Sequence, residues 1–91
     1  MFEVKIHPRK KVSEAQIERV CIQCSLTSTM KGSLKSLDLN THWHFKNGKQ
    51  KGVLEITLMH QTGELIFSVH ANRKGGWEKE MVEKLVLLLK G

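Results

Sequence analysis

The chain has no tyrosine, one proline and two cysteines among its 91 residues. Two cysteines are too few for a disulfide-stapled secreted fold. The longest apolar run, Leu85 to Leu89, falls far short of a membrane span. The first residues, Met1-Phe2-Glu3-Val4-Lys5-Ile6-His7, carry charge from the third position and lack the apolar region of a signal peptide. A reducing cytoplasm is therefore the expected location, with no membrane partner. A chain of this length has room for one core, so residues 1–91 are expected to form a single α+β domain.

Chemical motifs are equally scarce. The G-x-x-x-x-G-K-[ST] spacing of a phosphate-binding loop is absent. No strained elbow or glycine-rich loop presents a nucleophile, and so short a chain offers little cavity volume. Base readout has no signature either: there is no ribonucleoprotein aromatic motif, recognition-helix pattern or KH-type loop. On these grounds neither enzymatic activity nor a cofactor is expected. Acidic residues are also few, nine against 15 lysines and arginines, which leaves a net charge of +6 and a pI of about 9.6. Such an excess keeps a small protein soluble. It is also the first mark of a domain that binds nucleic acid.

What the chain does contain is hydrophobic periodicity. Phe2, Val4 and Ile6 alternate with Glu3, Lys5 and His7, the pattern of a half-buried strand, which Pro8 ends because it lacks a ladder donor. Ser13-Glu14-Ala15-Gln16 has the form of a capping box, and Ile17, Val20, Cys21 and Cys24 follow on one helical face as far as about Ser25. Thr29 to Lys35 reads as a strand. Asn47-Gly48 between two strand-like runs is a strong hairpin signal. Before it, Trp43 and Phe45 share one face and His42 and His44 the other. After it, Leu54, Ile56 and Leu58 join the aromatic pair in the core, while Glu55 and Thr57 share the open face with the histidines. Gln61-Thr62-Gly63 turns the chain into a strand with Leu65, Phe67 and Val69 inward and Ile66, Ser68 and His70 opposite. The polar loop Ala71 to Gly76 leads to a helix from about Trp77 to Leu89. Its apolar stripe is Trp77, Met81, Val82, Leu85, Leu88 and Leu89, with Glu78 and Glu80 at the positive end of the helix dipole.

The order β-α-β-β-β-β-α predicts an α+β two-layer sandwich, an antiparallel sheet of four to five strands with both helices on one face. When three strands are counted between the helices, the element order from Ser13 onward resembles that of the double-stranded-RNA-binding domain. The chain departs from that family in its leading strand and in having no lysine cluster inside the last helix.

Three groups of residues are candidates for function. His42, His44 and Glu55 lie on the open face, with His7 and His70 as further imidazoles. His-X-His on a strand is a usable geometry for Zn²⁺, Cu²⁺ or Ni²⁺. No spacing supplies the remaining ligands, so no metal is expected. Cys21-X-X-Cys24 falls at the end of an amphipathic helix, where the dipole disfavours thiolates, and reads as two small buried hydrophobes. Positive charge occupies three connectors: Lys46, Lys49 and Lys51 at the hairpin tip, Arg9, Lys10 and Lys11 after the first strand, and Arg73 and Lys74 before Gly75-Gly76. Free amides at the start of the last helix would also attract an anion. If the three connectors converge, they form a patch wide enough for a phosphate backbone, bound through counterion release. The expected function is that of a small non-enzymatic binding module contacting nucleic acid, RNA or DNA, or another polyanion through its hairpin tip and connectors. The alternative is a protein-interaction or homodimer module using the open sheet face, where Met59 and Ile66 add apolar surface. Metal binding through His42 and His44 ranks third.

Overall fold

The computed structural model describes residues 2–33, 39–70 and 75–90. The elements are β1 (Phe2–Ile6), α1 (Glu14–Gln23), β2 (Thr27–Gly32), β3 (Asn40–Lys46), β4 (Leu54–Met59), β5 (Leu65–Val69) and α2 (Glu78–Leu89). The strands make one open antiparallel sheet in the order β1-β5-β4-β3-β2. This is the expected α+β architecture, with the upper of the two strand numbers. Four strands separate the helices, so the element-order resemblance to the double-stranded-RNA-binding domain does not hold. The turns alone leave the position of β1 open. It takes the edge beside β5, pairing Phe2 with Val69 and Ile6 with Leu65. The chain then crosses the sheet through α1 to reach the opposite edge at β2.

Local chemistry explains most of these elements. The Ser13 hydroxyl accepts the Gln16 N–H at 3.1 Å, closing the first turn of α1. β2 begins at Thr27, two residues before the expected start. Its register against β3 shifts between Ser28 and Met30, and such an irregularity breaks the alternation on which period-two reading depends. Leu34 and Lys35, the expected end of that strand, lie outside the described residues. In α2 the inward face is Val82, Leu85 and Leu89, with Met81, Val86 and Trp77 partly buried against the core. Leu88, expected in the stripe, is 50% exposed, because Leu85 and Leu89 already share the face one turn apart and Leu88 points about 100° away from Leu89. No described helix is long and apolar enough to cross a membrane.

Both helices pack on the sheet face that carries Trp43, Phe45, Leu54, Ile56, Leu58, Leu65 and Phe67. Trp43 is fully buried and stacks on Phe45 with centroids 6.5 Å apart. Its indole N–H donates to Glu18 Oε2 at 3.0 Å, so the largest core side chain leaves no unmet donor. The β3–β4 connection is longer than a two-residue turn. The last cross-strand pair is Phe45 with Leu54, and residues 47–53 form a loop. Gly48 (φ 60°) and the bond from Gln50 N–H to Asn47 O at 3.2 Å shape its tip. Gly52 (φ 105°) then folds its second half back toward the start of α2.

Candidate functional site

The sheet face away from the helices has a polar centre. Register places His44 opposite Glu55 and Glu55 opposite Ser68, with His42 opposite Thr57 in the adjoining row. His42 Nδ1 lies 2.7 Å from Thr57 Oγ1, and His42 Nε2 lies 3.1 Å from Glu55 Oε1. His44 Nε2 approaches the same oxygen at 3.5 Å, and His70 Nε2 is 3.1 Å from Glu55 Oε2. The two β3 imidazoles meet edge to face, with centroids 5.1 Å apart. The alternation of β3 and β4 places these residues on the expected face, but that face is not open at its centre. His42 is 4% exposed, Glu55 6% and Thr57 4%. No described helix covers them. They sit on the interior strands β3 and β4, with His42 beside Thr57 and His44 beside Glu55. His7, the remaining imidazole of the expected set, stands apart, 4.0 Å from Glu64.

A carboxylate taken out of water needs a positive partner. Glu55 has three imidazoles at contact distance, His42 and His44 on Oε1 and His70 on Oε2. Thr57 and His70 complete this centre. Alternation already put both on this face; their contacts with His42 and Glu55 come from the strand register.

The basic connectors do not form one patch. Antiparallel pairing sends the β3–β4 loop to one end of the sheet and the β4–β5 turn to the other. Lys46, Lys49 and Lys51 are at the first end. Arg9, Lys10 and Lys11 are at the second, where Arg9 N–H donates to Lys90 O at 3.2 Å and a Cβ on Gly63 would sit 3.6 Å from Lys11 Cγ. The length of a six-residue strand separates them, about 20 Å at ~3.3 Å per residue. Arg73 and Lys74 lie outside the described residues. Among the described residues, none of the six other cations is ion-paired, whereas Lys31 bridges Glu14 at 3.0 Å and Glu18 at 2.8 Å.

The amides before α2 are not free for an outside anion. Glu78 is 2% exposed, and its carboxylate accepts the N–H groups of Gly75 and, at 2.8 Å, Gly76. The helix start thus carries its own anion. The same segment clasps the β3–β4 loop: Trp77 Nε1 donates to Lys51 O at 2.6 Å, and a Cβ on Gly75 would overlap that carbonyl. Sequence placed Glu78 near the helix dipole, but its burial depends on Gly52 approaching from another part of the chain.

Cys21 and Cys24 are free thiols buried in the core, and burial pushes the Cys21 thiol up to about 12, with the neighbouring Cys24 adding to the shift. A cleft of about 360 Å³ lies where α1 starts, lined by Lys11, Val12, Ser13, Glu14, Leu58 and His60. At its edge the Thr41 hydroxyl donates to Glu14 Oε2 and lies 2.8 Å from His60 Nε2. The hydrogen bonds from Thr41 and then Lys31 hold the Glu14 carboxyl below its ordinary value, and those from Lys31 and Trp43 do the same for Glu18.

These features define a class: a two-layer α+β domain with an imidazole–carboxylate centre on the sheet face away from its helices and cationic loops at both ends. Comparison with known protein families, curated proteins and solved structures finds no match to this chain.

Proposed function

We propose that this chain is a non-enzymatic binding module of the reducing cytoplasm that holds a polyanion, nucleic acid foremost, against Lys46, Lys49 and Lys51. The observation that carries this reading is a cationic loop with a fixed backbone. The clasp between Lys51 O and Trp77 anchors the loop to α2, while the three lysines form no ion pair among the described residues. A prearranged set of unneutralised cations loses less entropy on meeting phosphates than a mobile one. The second set, Arg9, Lys10 and Lys11, adds a separate contact about one strand length away rather than widening the first. Two free, buried cysteines are in keeping with a reducing compartment.

The test is fluorescence anisotropy with duplex and single-stranded RNA and DNA over a range of salt. Three phosphate contacts on a duplex give a slope of log K against log salt of about −3. Replacing Lys46, Lys49 and Lys51 together by glutamine should flatten that slope and abolish most binding. The same change at Arg9, Lys10 and Lys11 should remove less. No complex at low salt, or binding indifferent to the loop lysines, refutes the reading.

A second reading is favoured by the sheet edge. β2 is exposed at every position and, among the described residues, pairs on one side only, with Met30 39% exposed on it. Such an edge suits addition of a strand from another protein or a second copy of this chain. Because the centre of the sheet face is polar, this reading favours a homodimer contact at the β2 edge over one across that face. A concentration-dependent mass by light scattering, lost when Met30 is replaced by lysine, tests it.

A further inference from the structure

We infer that His42, His44 and Glu55 form a binding site for a divalent first-row transition ion of the zinc class, with His70 as fourth ligand. This goes beyond the polyanion reading and uses none of its residues. His-X-His on β3 by itself lacked further donors. The sheet supplies them, because His44 and Glu55 are register partners and His42 reaches the same carboxylate oxygen across the diagonal. One ligand atom from each of the three residues lies within 4.8 Å of the other two. A tetrahedral ion with bonds of about 2.0–2.2 Å holds its ligands about 3.3–3.6 Å apart. The two observed imidazole–carboxylate separations, 3.1 and 3.5 Å, lie within about 0.2 Å of that spacing. Small side-chain rotations close the remaining gap.

Three further features support a metal rather than a simple ion pair. Two imidazole nitrogens converge on a single oxygen, Glu55 Oε1, leaving a shared point among three donors. The other nitrogen of His42, Nδ1, is held by Thr57 Oγ1 at 2.7 Å, an outer-shell bond that orients the ring and turns Nε2 to the ion. His70, whose side chain is 46% exposed, stands 3.1 Å from Glu55 Oε2 and can swing onto the ion from the solvent side. Four protein donors of nitrogen and oxygen type make a closed coordination sphere, so the ion would tie β3, β4 and the end of β5 together as a structural site. The cysteines contribute nothing to it. They lie in the core on the other side of the sheet, with the Cys21 thiol strongly disfavoured as thiolate.

The experiment is titration of the full chain, purified without an affinity tag and freed of metal by chelator, with Zn²⁺ by calorimetry and with Co²⁺ by visible absorption. A Cys21→Ser/Cys24→Ser variant serves as the background. The expected result is a single ion per chain and the intense d–d bands of tetrahedral Co²⁺. His44→Asn should abolish binding. Thr57→Val, which touches no metal, should weaken it about 10-fold. His70→Ala should retain the ion but change the Co²⁺ spectrum as water takes the open position. Glu55→Gln should lose binding while circular dichroism reports an unchanged fold. Absence of a stoichiometric complex with the wild-type chain overturns the inference, whatever the variants do. So does a Co²⁺ spectrum unaffected by His44→Asn in a folded protein, which would place the ion elsewhere.

Discussion

Replacing Gly52 by alanine probes the contact that joins the cationic loop to α2. Gly52 has φ 105°, and a Cβ there would overlap Glu78 Oε2 and stand 2.7 Å from Gly75 N and 2.9 Å from Gly75 Cα. The carboxylate can swing aside, but the two backbone contacts cannot, so the loop and the glycine pair must separate. The backbone conformation itself costs about 2 kcal/mol for a residue with a side chain. Loss of the Glu78 bonds to the Gly75 and Gly76 amides costs about 2 kcal/mol more, as hydrogen bonds to a charged group. The total, about 4 kcal/mol, is a large share of the ~5–15 kcal/mol that stabilises a typical domain. At ~4–8 °C per kcal/mol for a domain of this size, Tm should fall by about 20 °C. Gly48→Ala is the control: its φ is 60°, and an added Cβ meets nothing within 4 Å. It should cost only the backbone strain, about 1 kcal/mol. Urea denaturation of both variants, with midpoints compared at equal m, measures the difference. If Gly52→Ala is no more destabilising than Gly48→Ala, the docking of the loop on Gly75–Trp77 does not exist in solution.

Other expectations follow from single contacts. Glu78→Ala should destabilise by about 2 kcal/mol, since two backbone amides lose a charged acceptor; hydrogen exchange at Gly75 and Gly76 should speed up in the same variant. Glu14 and Glu18 are held below the ordinary 4.5, so the stability they contribute is present above that pH and is lost as pH falls through their lowered values. Lys31→Met removes a hydrogen-bond donor from both and should shift the acid-unfolding midpoint upward, an effect readable by circular dichroism; an unchanged midpoint would mean the bridges are absent. Lys31 shows the opposite sign: its raised value makes its contribution fade only on strong alkalinisation. Cys21 should resist iodoacetamide in the folded protein at neutral pH and react fully in urea, as mass spectrometry of the labelled chain will report.

Period-two and period-3.6 patterns carried the architecture. Trp43 with Phe45, and Leu54, Ile56 and Leu58, are where alternation puts them, and Ser13 caps the helix it precedes. These features are local. A strand's faces depend on its own pleat, and a cap depends on residues within one turn, so the chain states them directly. The partial failures are also physical. Period two says which face His42 and Glu55 occupy but not how deeply, because burial depends on what the fold brings alongside. Reading charge along the chain groups cations by position, whereas antiparallel topology sends Lys49 and Lys10 to opposite ends of the sheet. Free helix amides can be foreseen at Gly75 and Gly76, but not the carboxylate that fills them, since Glu78 fits there only where Gly52 leaves room. Long-range pairing, worth nothing until the fold closes, thus turned His42, Glu55 and His70 into one centre and split the basic connectors into two.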